Sequence, residues 1–516
     1  MQPNVALLLD RKYDVSCGGE DHLVRSFPIL ASAWCAANML ATCNVHAADW
    51  LQFGYDAAHS GVNPQETAIT RDNVATLVEL ANVPVPDYVY GAPVLLSGVA
   101  TAVGQRDVLF LSTQGGSLLA LDARDGAVLW SQQPSGTGHQ TAGSPAIDGN
   151  RQFVYAYGLD GKVHKYAVGD GAESTDQGWP QLVTLKPTVE HGAASLAIGD
   201  TRDGESYLYA VVDGYVGDGG DYQGHLTTIN LRTGAQTVFN TLCSDVATHF
   251  IENGQPGVTD CGSAQSGIWG RPGSTFDAAT GRVYIATGNG PYDANFGGFD
   301  WGDSVIALPA DGTGSGGLPL DSYTPTNYED LYLYDVDLGS SSLTLIGDVP
   351  GNAAGRLGMI MGKDGYLRLL SLDDMSGAGG PRHVGGELQM VGGGFSKCNT
   401  PQPAIWHAGD GTVWMYVIGP DLRAYQVVAD AGGRPEIQAR WGGFGETTPV
   451  VANGIVFTWG GSLYATDAMS GDVLWQSPQE LNVFWQSPIV VDGRIYIAAF
   501  DGVHIYGLDR VFADGF

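Results

Sequence analysis

The stretch Ala120-Leu-Asp-Ala-Arg-Asp-Gly-Ala-Val-Leu-Trp130 returns near the end of the chain as Ala465-Thr-Asp-Ala-Met-Ser-Gly-Asp-Val-Leu-Trp475. Both copies read Ala-x-Asp-x-x-x-Gly-x-x-x-Trp: a strand, a tight turn closed by Gly, and a second strand ending in Trp. A unit this small cannot bury its apolar face alone, so its recurrence implies stacked neighbours. The Asp position recurs as Asp122, Ala167, Asn230, Pro309, Asp373, Gln426, Asp467 and Asp509, eight places spaced by roughly one four-stranded blade. Gly126, Gly234, Gly377 and Gly471 keep an offset of four from it. A Pro opens the first strand of a cycle at Pro93, Pro145, Pro403, Pro449 and Pro488, where its missing N–H is tolerated. The cycle predicts an all-β, eight-bladed β-propeller over residues 48–510, with 511–516 as a short tail. The strand at 77–83 precedes the first full repeat and is expected to close the ring by joining the last blade. Closure removes free sheet edges.

Composition agrees with short strands and tight turns: 75 of 516 residues are Gly and 15% are charged. A formal net charge of −31 argues against a nucleic-acid partner, because phosphates would be repelled. Residues 1–47 read as an upstream extension plus an export signal. Arg25 precedes the apolar run from Phe27 to Leu40, and Val45-His46-Ala47 offers a small-x-small cleavage site. The acidic segment before it suits a start near Val24. Periplasmic or secreted localisation follows, and a lipoprotein anchored through Cys43 is disfavoured by Thr42 before it. No later stretch is long and apolar enough to span a membrane. In an oxidising compartment Cys243 and Cys261 could close the polar loop between them, leaving Cys398 unpaired.

The middle repeats carry insertions near 214–223, 243–268, 290–303 and 312–335, rich in Gly, Asp and Tyr. Loops on a rigid ring are the usual carriers of function. Trp130 and Trp475 are expected to dock one blade on the next.

The repeat with its docking Trp resembles the quinoprotein propellers. That superfamily includes the pyrroloquinoline-quinone-dependent alcohol dehydrogenases and a non-enzymatic propeller lipoprotein of outer-membrane assembly. Asp49-Trp50 to Val78, the stretch Phe276 to Asn289 ending in Thr-Gly-Asn, and Gly302-Asp303-Ser-Val-Ile-Ala307 resemble the dehydrogenase branch. The resemblance implies pyrroloquinoline quinone and calcium as cofactors and an alcohol as substrate. It assigns Asn289 to calcium, Asp335 to the catalytic base and a metal ligand, and Lys363 to the quinone oxygens. Asp330 occupies Asp335's place in an alternative register. The acidic calcium ligand falls at Gly219, flanked by Asp218 and Asp221, of which Asp218 is taken as the ligand. The aromatic floor beneath the quinone falls at Arg271, with Trp269 two residues early and taken as its substitute. An adjacent-Cys pair typical of the branch is absent. Turn-forming or solvated roles for Asn289, Asp335, Asp337 and Lys363 compete with these assignments. Two functions therefore stand: an alcohol-oxidising quinoprotein, or a propeller that binds a protein partner and no cofactor.

Overall fold

Each cycle folds into a four-stranded antiparallel sheet, and eight such blades follow one another along the chain. They occupy residues 94–132, 146–182, 197–240, 275–323, 344–391, 404–443, 450–476 and 489–508, the last completed by Leu77–Val83. The computed structural model describes residues 49–215, 217–251, 261–392, 401–480, 486–500 and 502–508. The export signal, Cys43, Cys398, the eighth repeat position Asp509 and the 511–516 tail lie outside the described residues.

Ring closure takes the expected form. Leu77–Val83 pairs antiparallel with Gly502–Leu508, so the last blade is made from both ends of the chain. The five prolines each stand immediately before an inner strand.

The repeat's Gly and Trp do their work between blades. The indole of Trp130, on the outer strand of blade one, donates to Val168 O of blade two at 3.0 Å. A Cβ on Gly171, four residues past Ala167, would stand 2.6 Å from that same indole. Blade six repeats the arrangement: Trp441 lies 2.7 Å from where a Cβ of Gly471 would be. Both glycines have φ near the left-handed region, 72° and 80°, so conformation and contact each demand Gly. The Asp explains itself locally. Asp467 Oδ1 accepts the Met469 and Ser470 N–H groups at 2.9 and 2.7 Å, and its carbonyl accepts Gly471 N–H at 3.0 Å. Apolar clusters fill the gaps between neighbouring blades, as where Phe110 and Leu118 meet Val154 and Tyr166.

The segment 50–63 lines the inside of the ring, a role the repeats do not announce. It bonds to the second residue of seven inner strands. Trp50 and Leu95 exchange both backbone bonds at 2.8 Å; Ile147, Phe276, Ile405 and Val451 each donate an N–H to a carbonyl of the segment. The Gln52 side-chain amide pairs with both backbone groups of Ile198, and Asn63 Nδ2 donates to Val490 O at 2.8 Å. His59 is fully buried, its ring nitrogens 2.7 and 2.8 Å from Phe53 O and Ser274 O. This strap satisfies inner-strand backbone groups that would otherwise face the channel unpaired.

The described parts of insertions 214–223, 243–268 and 290–303 follow second or fourth strands and so emerge on the face where the inner strands begin. The fourth insertion is different from that pattern in its first half. Residues 312–320 join the third and fourth strands of blade four and run along the outer strand of blade three, where Gly314 lies against Phe239, and past its end, where Ser244 Oγ donates to Gly317 O at 2.7 Å. Among the described residues, no helix is long and apolar enough to cross a membrane.

Candidate active site

On the face where the inner strands begin, the segments leading into blades two to five enclose a cavity of about 440 Å³. That is enough for a small organic ligand. Asp218, Trp269, Asp335 and Lys363 all line it, drawn from residues nearly 150 positions apart, and Asp337 and Arg271 stand with them. Asn289 sits just behind this wall: its Nδ2 donates to Asp218 Oδ2 at 3.0 Å and its N–H to Asp337 Oδ1 at 2.6 Å. Asp330, the alternative to Asp335, lies in the short helix Tyr328–Leu333 and is absent from the cavity lining.

Local structure explains how two neighbouring carboxylates part company. The helix ends at Tyr334, and Asp335 follows with φ 52°, a left-handed conformation that Asp tolerates. The chain reverses there, with Val336 N–H donating to Leu331 O at 3.0 Å. The Asp335 side chain is left 62% exposed and that of Asp337 only 3%. Lys363, on the turn after the second strand of blade five, bridges them: its ammonium donates to Asp335 Oδ1 at 2.8 Å and pairs with Asp337 Oδ2.

The charges are shaped by burial. Burial pushes the Asp337 carboxyl above its usual pKa, against the pull of Lys363. Burial works to lower the Lys363 pKa, but the Asp337 charge and the bonds to both carboxylates outweigh it and hold the ammonium above its ordinary value. Asp303 is buried behind the pair and is pushed well up, chiefly by burial. Its Oδ1 accepts Leu338 N–H at 2.9 Å, fixing the segment that carries Asp337.

The residues present suit a hard cation. Asn289 Oδ1 is buried with no hydrogen-bond partner, and the same residue touches a carboxylate on each side, Asp218 and Asp337. An amide oxygen flanked by carboxylates is a calcium donor set. Among the described residues, three His, Cys or carboxylate groups converge at Cys243, Cys261 and Asp300, but both sulfurs there are spent in a disulfide. For a flat ligand, Trp269 supplies an aromatic wall, held edge-on by Tyr222 at 5.9 Å between ring centres. Arg271 occupies the expected floor position. Its planar guanidinium donates to Ala193 O and Tyr90 O at 3.1 and 2.8 Å, and burial lowers its pKa to about 10, leaving it charged at neutral pH.

Sequence reasoning missed His191 and Asp213, which line the same cavity on blade three. Neither has metal-ligand spacing to a partner in sequence, and they meet because Glu190–His191 forms a short strand against Ser206–Gly214. Asp337 was visible as the second carboxylate of an alternating pair, without any sign that it is the buried one.

The Cys243–Cys261 disulfide closes the loop that leads into the site. Downstream of it, Gln265 N–H donates to Tyr222 O at 2.7 Å and Ser266 N–H to Asn289 O at 2.8 Å. Replacing both cysteines by Ser is expected to cost about 3 kcal/mol by the chain-entropy relation for a loop of this size. Chemical denaturation of the double variant checks it; an unchanged midpoint would mean that the loop is already ordered by its other contacts.

A family model described as "Outer membrane protein assembly factor BamB", of the PQQ-repeat type, matches residues 65–255. No curated protein sequence matches the chain. Among solved structures, the quinohemoprotein alcohol dehydrogenase ADHIIG of Pseudomonas putida HK5 is similar at 15% identity and TM-score 0.61, over 89% of this chain and 80% of that one. A europium-containing methanol dehydrogenase is similar at 14% identity and TM-score 0.62, over 89% of this chain and 98% of its own. The quinohemoprotein alcohol dehydrogenase of Comamonas testosteroni gives 15% and 0.56, over 89% and 80%. At such identities the likeness is one of fold. Eight blades and these matches show that the chain has the PQQ-like β-propeller fold, with a PQQ-repeat family model matching residues 65–255.

Proposed function

We propose that the chain is an exported quinoprotein oxidoreductase that oxidises an alcohol, using pyrroloquinoline quinone and calcium. One observation carries the reading: Asp218, Trp269, Asp335 and Lys363 line a single cavity, with Asn289 hydrogen-bonded into its wall. These residues come from different blades, and nothing in the repeat itself requires them to meet.

When bound, the quinone supplies a two-electron acceptor and the calcium a Lewis acid. Asn289, Asp218 and Asp337 would hold the cation through oxygen atoms. Lys363 places a positive charge in the cavity, where it would stabilise negative charge on a bound quinone. Asp335, exposed to the cavity and oriented by its bond to Lys363, takes the hydroxyl proton of the alcohol. Trp269 closes the wall and keeps bulk water from the reacting atoms. Export past a signal ending near Ala47 accords with the Cys243–Cys261 pair, since disulfides persist in oxidising compartments.

Reconstitution tests the reading. The protein loaded with pyrroloquinoline quinone and calcium is expected to bind one quinone per chain by calorimetry and to reduce a dye when given an alcohol. Absence of quinone binding would overturn it. Arg271 at the floor position favours the second reading, a scaffold propeller that binds a protein partner; that reading expects no quinone binding with or without calcium.

A further inference from the structure

The wall of the cavity formed by blade three carries a charged centre that the redox reading does not use. His191 stands opposite Asp213 where the two-residue strand Glu190–His191 pairs antiparallel with Ser206–Gly214. Its Nδ1 forms an ion pair with Asp213 Oδ1, and Asp213 is fully buried with no hydrogen-bond partner at Oδ2. Because Nδ1 is taken, Nε2 is the ring atom that His191 offers to the cavity it lines. The imidazole rests edge-on against Tyr215 at 5.3 Å, and Tyr215 stacks on His139 at 4.6 Å, so the ring cannot swing freely. Arg271, from the segment leading into blade four, lines the cavity beside the pair.

We propose that His191, protonated and backed by Asp213, receives a carboxylate group of the cavity's ligand, with Arg271 as its neighbour. A buried carboxylate keeps the imidazole in one tautomer and orientation and stabilises its protonated form. A desolvated imidazolium beside a guanidinium then binds an anion through charge-assisted hydrogen bonds. Neither group serves a neutral alcohol, so the ligand class is a carboxylic acid, whether as a carboxylated quinone or as a hydroxy-acid substrate. The groups facing His191 set the sign of the pH dependence. Burial works to lower its pKa, and the charge and hydrogen bond of Asp213 raise it above the ordinary value, with Arg271 opposing. Tyr215 and His139 face it from the adjoining loops, and Tyr157 of blade two lies against Gly192 with its hydroxyl bonded to Val211. Glu190, next in sequence, is held by Lys186. Carboxylate binding is therefore present below the raised pKa of His191 and is lost as pH rises through it, roughly tenfold per pH unit.

The inference shares a cavity with the proposed redox reading, and its test does not need turnover. Calorimetry on the full chain with calcium, in two buffers of different ionisation enthalpy, measures proton uptake on binding between pH 5.5 and 8.5. Three probes are used: pyrroloquinoline quinone, its trimethyl ester, and benzene-1,3-dicarboxylate, which has carboxylates but no quinone. Expected are proton uptake with the free acids above neutral pH, none with the ester, and loss of both the uptake and the pH dependence in His191→Gln. Asp213→Asn, which keeps the shape of the side chain, is expected to move the pH midpoint downward. Uptake with the dicarboxylate alone would uphold the inference, sink the quinone reading and point to a substrate carboxylate. Quinone binding without proton uptake would do the reverse. If neither acid binds, or if His191→Gln behaves as the parent protein does, the inference is overturned.

Discussion

Replacing Asp337 by Ala is expected to lower the unfolding free energy by about 2 kcal/mol and to weaken calcium binding by about tenfold or more. The stability loss comes from the Asn289 N–H, which loses its acceptor in a buried place, and from Lys363, which keeps Asp335 alone as partner. The binding loss comes from removing one of the two carboxylates that contact Asn289, the residue whose Oδ1 is left without a partner. Asp337→Asn retains an acceptor for the Asn289 N–H and is expected to restore most of the stability and little of the affinity. Asp335→Ala gives the opposite profile. Its side chain is mostly exposed and makes one bond to Lys363, so stability should change by less than about 1 kcal/mol. Turnover of the reconstituted protein should fall by about 10²–10⁴-fold, the usual contribution of a positioned proton acceptor. Denaturant titration, calcium calorimetry and dye reduction on the three variants separate the two carboxylates. Equal loss of turnover and of calcium affinity in Asp335→Ala would move the catalytic assignment away from that residue.

Trp50→Ala is expected to cost about 3–5 kcal/mol. Trp50 is fully buried, packs edge-on against Tyr55 at 5.2 Å, and belongs to the apolar cluster that joins blades one, seven and eight. It also begins the strap that bonds to seven inner strands, through its own backbone exchange with Leu95. Because His59, within that strap, reaches Ser274 O three residues beyond Arg271, loosening the strap should also disturb the floor of the cavity. The denaturant midpoint measures the first effect, and quinone affinity measures the second. A change under about 1 kcal/mol would mean that the ring holds its shape without the strap.

The ring was legible because it rests on short-range rules. Pro before an inner strand, Asp bonding its own turn, and Gly in a left-handed conformation each leave a mark on neighbouring residues. Their recurrence counted the blades and identified Leu77–Val83 as the closing strand. The candidate site was legible in part and by likeness: Asn289, Asp335 and Lys363 came from motifs resembling one family, Asp218 and Trp269 stand beside positions where the chain departs from it, and the fold gathers them around one cavity. His191 and Asp213 were illegible for a simple reason. They are 22 positions apart on strands whose pairing, His191 opposite Asp213, is set by the tertiary course of blade three. The strap was equally hidden, since its partners are backbone groups, and backbone groups have no letter in a sequence.

Sequence by itself therefore determined the kind of molecule: a closed ring of eight stacked sheets, joined through its own N-terminal strand, with its longest loops in the middle blades. Periodicity carries that information because each blade buries its face against the next, and the demand repeats. Tertiary structure alone decided which of two adjacent carboxylates is buried, which turn lysine pairs with both, and which histidine meets an aspartate. Those outcomes depend on where loops from four blades converge, and convergence across a ring leaves no trace in local spacing.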